Sequence, residues 1–270
     1  MTKSTMPKSE LCFDLSANSV TAEGHSYDAL GLHALLDGPV KNIILDTTGK
    51  TELKEILQAL ASTDFDDKEI AKILDSDLSL EDWHIGEAIA EAFAVDYEAC
   101  EYPWPTNRDL RNSRSSPAGC DLVGFQSTSN SQHPYRFTFG EVKTSYDKNS
   151  PPSVMTSLSK QLFDLRDDMG VKRDLVRYLG LHSVGKSWLP KFKSSVSRFL
   201  HSQSSDISIL GLLVRDTPMS QTDISGKVTP LSVKCPAATN ISLYAIYLPA
   251  DSIKQLPTKL KALLGSGSSS

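Results

Sequence analysis

Tyr135-Arg136-Phe137-Thr138-Phe139-Gly140-Glu141-Val142-Lys143 is the stretch on which the fold reading turns. Side chains on a β-strand alternate between faces, so Tyr135, Phe137, Phe139, Glu141 and Lys143 share one face if this run is a strand. Three aromatics on one side are a good anchor for a buried strand. The same face then ends in a carboxylate and an ammonium, groups that are rarely buried unless paired or bound to a metal. The run is therefore either a strand end reaching solvent with an incidental ion pair, or part of a sheet that projects two charges into a cleft.

Working outward, Asp121 to Phe125 (DLVGF) reads as a short strand and Gln126 to Pro134 as a polar turn. Together with the aromatic run they predict an antiparallel hairpin that folds Asp121 back toward Glu141. Ile207 to Arg215 and Ile241 to Leu248 are near-continuous apolar runs, as expected in the middle of a sheet covered on both faces. Helices are expected at Ser153–Asp167, after Pro151-Pro152, then at Val171–Leu179, Pro190–His201 and Asp251–Leu264. Upstream, Tyr27–Leu36 reads as a short helix stopped by Gly38-Pro39, and Val40–Leu45 (VKNIIL) as a short strand. Glu52–Ala61 and Asp66–Leu74 read as amphipathic helices, and Leu78–Phe93 as a longer one entered at Ser79 or Asp82. The rest of residues 1–40 is weakly patterned, and residues 216–240 read as a loop. Residues 99–120, with three prolines and three arginines, form a long loop, a placement common for function. The fold class is α/β (mixed α+β), a central mixed β-sheet flanked by helices. The expected organisation is an N-terminal helical or mixed region (1–75) packing on a core domain (76–264), followed by a flexible Gly/Ser tail (265–270).

Composition excludes several classes. With 270 residues the chain can bury a full core, and 39% hydrophobic with 23% charged residues argues against global disorder. A net charge of −5 gives no overall basic field, so any nucleic-acid binding rests on local patches. Cys12, Cys100, Cys120 and Cys235 are widely spaced, which supports neither a zinc site nor a disulfide framework. No apolar run reaches membrane-spanning length and the N-terminus has no signal-peptide core, so a soluble, cytoplasmic protein is expected. Between Asp64 and Glu98 twelve acidic residues stand against two lysines, the composition of a solvated face.

Glu87 on the expected helix, Asp121 at a strand start, and Glu141 with Lys143 across the hairpin supply carboxylates of the kind that hold a hard divalent cation. A neighbouring lysine can orient a water or stabilise charge on a phosphorus centre. Glu91 lies four residues after Glu87 on the same helix face, so either could be the helix carboxylate.

Gly86-Glu87, then Gly119-Cys120-Asp121-Leu122-Val123-Gly124-Phe125, then Gly140-Glu141-Val142-Lys143, then a helix bearing Gln161, resembles the PD-(D/E)XK nuclease superfamily. PWPTNRDLRN, GCDLVGF, FGEVKTS and SPPSVMTSLSKQL are further similar to the nuclease subunits of Hachiman-type antiphage defence systems, the HamA-like proteins. The resemblance is strongest over residues 83–165. It implies a restriction-endonuclease-like core in which Asp121, Glu141 and Glu87 bind Mg²⁺ (or Mn²⁺), Lys143 assists the attacking water, and Gln161 completes the site. It also implies DNA as substrate and a superfamily-2 helicase subunit as partner. Gly119-Cys120 stands where the superfamily's name has proline. The function expected is a Mg²⁺-dependent DNA endonuclease or nickase under a partner's control; the alternative is a catalytically silent nuclease-fold subunit that binds nucleic acid or a partner.

A basic set accompanies these residues: Lys172, Arg173, Arg177, Lys186, Lys191 and Lys193 on the helices after the glutamine, and Arg108, Arg111 and Arg114 on the loop before Asp121. Phosphate contacts from such groups give sequence-independent, salt-sensitive affinity. Gly180 to Ser187 (GLHSVGKS) matches the spacing of a phosphate-binding P-loop. That mechanism needs a strand before the loop and a helix N-terminus after it, and the preceding KRDLVRYL reads as a helix, so the match is taken as chance. The six histidines show no pair at metal-ligating spacing, and the serines have no His–Asp arrangement beside them.

Overall fold

The computed structural model describes residues 6–60, 64–74, 80–105 and 119–265. Seven strands form one sheet: β1 (Glu10–Ala17), β2 (Val20–Ser26), β3 (Cys100–Glu101), β4 (Leu122–Ser127), β5 (Tyr135–Ser145), β6 (Ile207–Arg215) and β7 (Asn240–Tyr247). Their order across the sheet is β1-β2-β7-β6-β5-β4-β3. The inner pairs β2–β7, β7–β6 and β6–β5 are parallel, and the outer pairs β1–β2, β5–β4 and β4–β3 are antiparallel. The helices are α1 (Ala29–Leu35), α2 (Lys41–Leu45), α3 (Thr47–Gln58), α4 (Asp64–Leu74), α5 (Asp82–Tyr97), α6 (Met155–Asp167), α7 (Met169–Ser183), α8 (Leu189–His201), α9 (Ser225–Ser232) and α10 (Leu256–Gly265).

The mixed α/β class and the helix-flanked mixed sheet agree with the expectation from sequence. Every residue of β6 is buried, as is all of β7 after Asn240, because helices cover both faces. On one face Ile85, Ile89 and Phe93 of α5, with Leu35 of α1 and Leu256 and Leu260 of α10, pack on Val142, Leu210, Leu212, Tyr244 and Ile246. On the other, Leu158, Leu162 and Leu165 of α6, with Leu179, Phe199 and Leu231 of α7 to α9, pack on Phe137, Phe139, Ile209, Leu213 and Leu243.

Three expectations are corrected. Val40–Leu45 is not a strand: the chain leaves helical geometry at Gly38 (φ −104, ψ −106), where the stop was expected, and turns through Pro39 and Val40 straight into α2. Its β-branched residues are buried against helices, with Val40 and Ile44 in the same cluster as Phe93, so tertiary packing overrides strand propensity. The strands near the N-terminus are instead β1 and β2, turned at Asn18 with φ +54, and β2 lies against β7 in the interior of the sheet. Residues 216–240 also carry a helix, α9, with Pro230 inside it.

Candidate active site

β5 positions two of the four charged groups. Its Phe137 and Phe139 sink into the layer of α6 to α8, while Val142 faces α5. The alternation holds through the strand, so Glu141 and Lys143 project to the α6 side at its C-terminal end. The hairpin forms as expected, with Leu122 opposite Gly140. One step beyond that pair β4 ends, and Asp121 takes up the freed ladder position: its Oδ2 accepts a hydrogen bond from the Val142 N–H at 2.7 Å. Asp121 is thereby fixed beside Glu141 by the backbone of the strand that carries Glu141.

Lys143 sits between the two carboxylates. Its Nζ is 3.4 Å from Glu141 Oε2 and 3.7 Å from Asp121 Oδ2, and it donates to the Val142 carbonyl at 3.0 Å. Glu141 is only 3% exposed. Burial, reinforced by repulsion from Asp121 and relieved in part by Lys143, pushes its carboxyl up to about 8.

Glu87 arrives from the opposite layer. α5 comes close to β5 at Gly86, where an added Cβ would lie 1.9 Å from Thr144 Oγ1 and 3.0 Å from Thr144 Cβ. The contact is possible because residue 86 has no side chain, and it brings the next residue, Glu87, to the site. Glu87 is also raised to about 8, by burial first and then by Asp121, with Lys143 opposing and Glu141 and Glu91 adding to the rise. Glu87 therefore stands in the field of Asp121, Glu141 and Lys143. Glu91 is the weakest of these influences on Glu87 and is itself 6% exposed, one turn deeper.

Gln161 lies on α6 next to Leu162. A Cβ at Gly211 would meet Leu162 Cδ1 at 2.8 Å, and Gly211 is the register partner of Glu141 on β6. This second glycine contact seats α6 over the strand beside Glu141. The Gln161 Oε1 atom is buried without a hydrogen-bond partner. A buried amide oxygen left unsatisfied costs about 1–3 kcal/mol unless something accompanies it.

Glu87, Asp121, Glu141 and Lys143 thus share one electrostatic environment, with Gln161 on the covering helix. Among the described residues no group of three or more His, Cys, Asp and Glu side chains stands at metal-ligating separations. Asp121 is turned to the Val142 N–H and Lys143 lies against both strand carboxylates. The donor chemistry still suits a hard divalent cation: the candidate ligand atoms are all oxygen, two glutamates are raised by burial and by the neighbouring Asp121, and one amide oxygen is orphaned.

The basic set divides. Lys172 does not face solvent: it is 4% exposed and its Nζ donates to the Arg166 carbonyl at 2.8 Å, closing the C-terminal end of α6. Burial lowers its pKa, and it is withdrawn from the phosphate-binding expectation. Arg173, Lys186 and Lys193 are exposed. Arg177 pairs with Asp174 at 2.9 Å, and Lys191 is ion-paired to Glu101 with its ammonium 5.3 Å above the Tyr135 ring. Arg108, Arg111 and Arg114 lie outside the described residues.

The P-loop spacing has no P-loop structure. Gly180 to Ser183 are the last residues of α7, and the next helix begins only at Leu189. His84 is buried one turn ahead of Glu87 on α5.

Sequence reasoning missed the positioning partners Thr144 and Gly211. A lone glycine inside the apolar run ISILGLLVR was the available signal for close backbone approach. No helix among the described residues is long and apolar enough to cross a membrane. Comparison with protein-family models finds no match to this chain, and comparison with curated proteins finds none either.

Proposed function

We propose that this chain is a metal-dependent DNA nuclease, an endonuclease or nickase, that hydrolyses phosphodiester bonds at the site of Glu87, Asp121, Glu141 and Lys143. One observation carries the reading. Two glutamates on different elements, each held up to about 8, converge with Asp121 on a shared lysine at the end of the central sheet. A structural ion pair gains nothing from the extra buried carboxylates, whereas perturbed groups cluster where chemistry is done.

Glu87, Asp121 and Glu141 would hold Mg²⁺ or Mn²⁺, with the Gln161 oxygen supporting the shell. Such a cation, when bound, polarises the scissile phosphate and makes water a stronger nucleophile. The chain's own groups do the rest. Asp121 is oriented by the Val142 N–H, which fixes the carboxylate without a flexible intermediary. Lys143 places an ammonium where negative charge develops on the phosphate oxygens. The aromatics of β5 hold this end of the strand rigid, since Phe137 and Phe139 are fully buried.

The resemblance to HamA-like subunits supports cytoplasmic action in an antiphage defence complex controlled by a superfamily-2 helicase. The commitment of Asp121 to Val142 and Lys143 favours one other reading, a nuclease-fold subunit that binds without cutting. Plasmid cleavage in Mg²⁺ against EDTA, with and without the helicase subunit, decides between them. The parent chain is expected to cut and Glu141→Ala and Lys143→Ala to lose most of that activity. Equal cutting by both variants would show the site to be elsewhere. No cutting by the parent under any condition would establish the binding subunit.

A further inference from the structure

A second cluster of chemistry-bearing side chains lies on the α6 to α8 side of the sheet, over β4. Trp104 is its centre. Its ring centroid is 5.8 Å from Tyr178, 5.2 Å from His182 and 5.7 Å from Trp188. Tyr178 and His182 are 4.4 Å apart, one helical turn from each other on α7, and Trp188 continues the set inward to Phe125 of β4 at 5.7 Å. The inner rings are ordinary core, with Phe125 and Phe137 fully buried. The outer ones are not: Trp104, Tyr178 and Trp188 are half-buried and His182 is exposed.

The position of this cluster is set by the strands that carry the carboxylates. Glu101, three residues before Trp104, pairs with Phe125 in the antiparallel β3–β4 ladder, and Trp188 seats on that same Phe125, four residues along the chain from Asp121. Three lysines lie on the turn and helix that follow α7. Lys186, on the turn between α7 and α8, and Lys193 are exposed, and Lys191 reaches Glu101 at the edge of the group. Asp174, the acid of α7, is taken up by Arg177.

From this geometry we infer that the Trp104–Tyr178–His182–Trp188 cluster, over the strand that follows Asp121, is a ledge on which bases of single-stranded nucleic acid stack. Every base has a flat π-face, so aromatic rings hold a strand without reading its sequence, and nearby cations track its phosphates. In an intact duplex the base faces are already stacked on one another, so the ledge selects an unpaired stretch, a frayed end or a displaced strand. The inference deepens the nuclease reading by naming its substrate class, but the ledge itself is defined without the carboxylates.

The test measures binding apart from cleavage. A fluorescein-labelled oligothymidylate, and a labelled mixed-sequence strand alone or annealed to its complement, are titrated into the full chain in EDTA. Anisotropy is read alongside intrinsic tryptophan fluorescence, to which the ledge contributes two of the chain's three tryptophans. The single strand is expected to bind tighter than the duplex and to quench the tryptophans. His182→Ala, at an exposed position, and Trp104→Leu are each expected to weaken binding about tenfold or more, the scale of one lost base–ring stack. Lys186→Ala is expected to weaken both strands alike and to flatten the salt dependence.

Circular dichroism and melting of His182→Ala show that a loss is not unfolding. Binding of His182→Ala equal to the parent's, or a duplex bound as tightly as the single strand, overturns the ledge. Glu141→Ala separates the two claims. If it still cuts DNA, the assignment of cleavage to the Glu141 site falls and the ledge stands on its own titration. If it stops cutting while the ring variants bind as the parent does, the ledge alone falls.

Discussion

Gly86→Ala is the substitution that probes the contact on which Glu87 depends. Alanine normally favours a helix over glycine by about 1 kcal/mol, so propensity alone predicts a more stable protein. The structure predicts the reverse. The new Cβ would stand 1.9 Å from Thr144 Oγ1, where ordinary contact begins at 3.4 Å. Rotating Thr144 moves its Oγ1 but leaves its Cβ at 3.0 Å, a separation set by the two backbones. α5 must therefore lift from β5, and overpacking of this kind costs typically about 1–3 kcal/mol. Taking the upper end and subtracting the propensity gain leaves a net loss of about 2 kcal/mol. Lifting the helix also displaces Glu87, the adjacent residue, and a misplacement of about 1 Å in a catalytic group can cost on the order of a hundredfold in rate. Urea denaturation of the parent, Gly86→Ala, Thr144→Gly and the double variant gives the coupling directly. In the Thr144→Gly background the alanine should become neutral or stabilising, because the clashing atoms are gone. A Gly86→Ala protein as stable as the parent, or one equally destabilised in both backgrounds, would refute the close contact and with it the account of how Glu87 is placed.

Two further outcomes follow from buried charge. Glu87 and Glu141 have folded pKa values raised above their ordinary 4.5, so the folded state holds protons that the unfolded state releases. Metal-free stability is therefore expected to fall as pH rises from about 4.5 and to level off above about 8. A carboxyl raised that far withdraws up to about 5 kcal/mol. Glu141→Gln should flatten the slope and stabilise the chain by a few kcal/mol at pH 9 in EDTA while abolishing cleavage; an unchanged urea midpoint across that range would show that the glutamates are not strained. At the C-terminal end of β6, just past Leu213, the register partner of Lys143, Arg215 is ion-paired to Asp223, which also accepts from Tyr247 Oη at 2.8 Å and Ser150 Oγ at 2.5 Å. Asp223→Ala strands a guanidinium that is 1% exposed and should cost about 3–5 kcal/mol by denaturation, with a loss under about 1 kcal/mol counting against the pairing.

How much of this was legible before the structure depended on whether a signal was local. The hairpin of β4 and β5 and the apolar strands β6 and β7 were readable because alternation and burial on both faces leave distinct patterns in a few residues. α5 to α8 were readable because their apolar stripes repeat over three or more turns. Val40–Leu45 failed because four apolar residues in a run of six carry no period that separates a buried helix from a strand. β1 was missed although Leu11, Phe13, Leu15 and Ala17 alternate, since it is an edge strand whose side chains are only partly covered and Leu11 is 56% exposed. The four charged groups of the site were named from sequence, yet their relation was not derivable from residue types. Asp121 binding the Val142 N–H is a consequence of where β4 ends, and Glu87 reaches the site through a glycine contact between layers. Lys172 shows the converse. A lysine in a basic run reads as surface, and nothing nearby in sequence announces that the end of α6 will claim its ammonium.

The parallel pairing of β2 with β7 has a consequence for how the molecule comes into being. Its register joins Val20 to Ile241, so an interior strand of the finished sheet is synthesised long before the neighbour it pairs with. Until β7 emerges, β2 has only β1 beside it and an open edge on its other side, the kind of surface that recruits the wrong strand. Pairings this distant in sequence form late and slowly. The sheet that carries Glu141 and Lys143 therefore closes only once β7 has emerged to join β2 to β6, and that strand acts as the step that turns a set of side chains into a site.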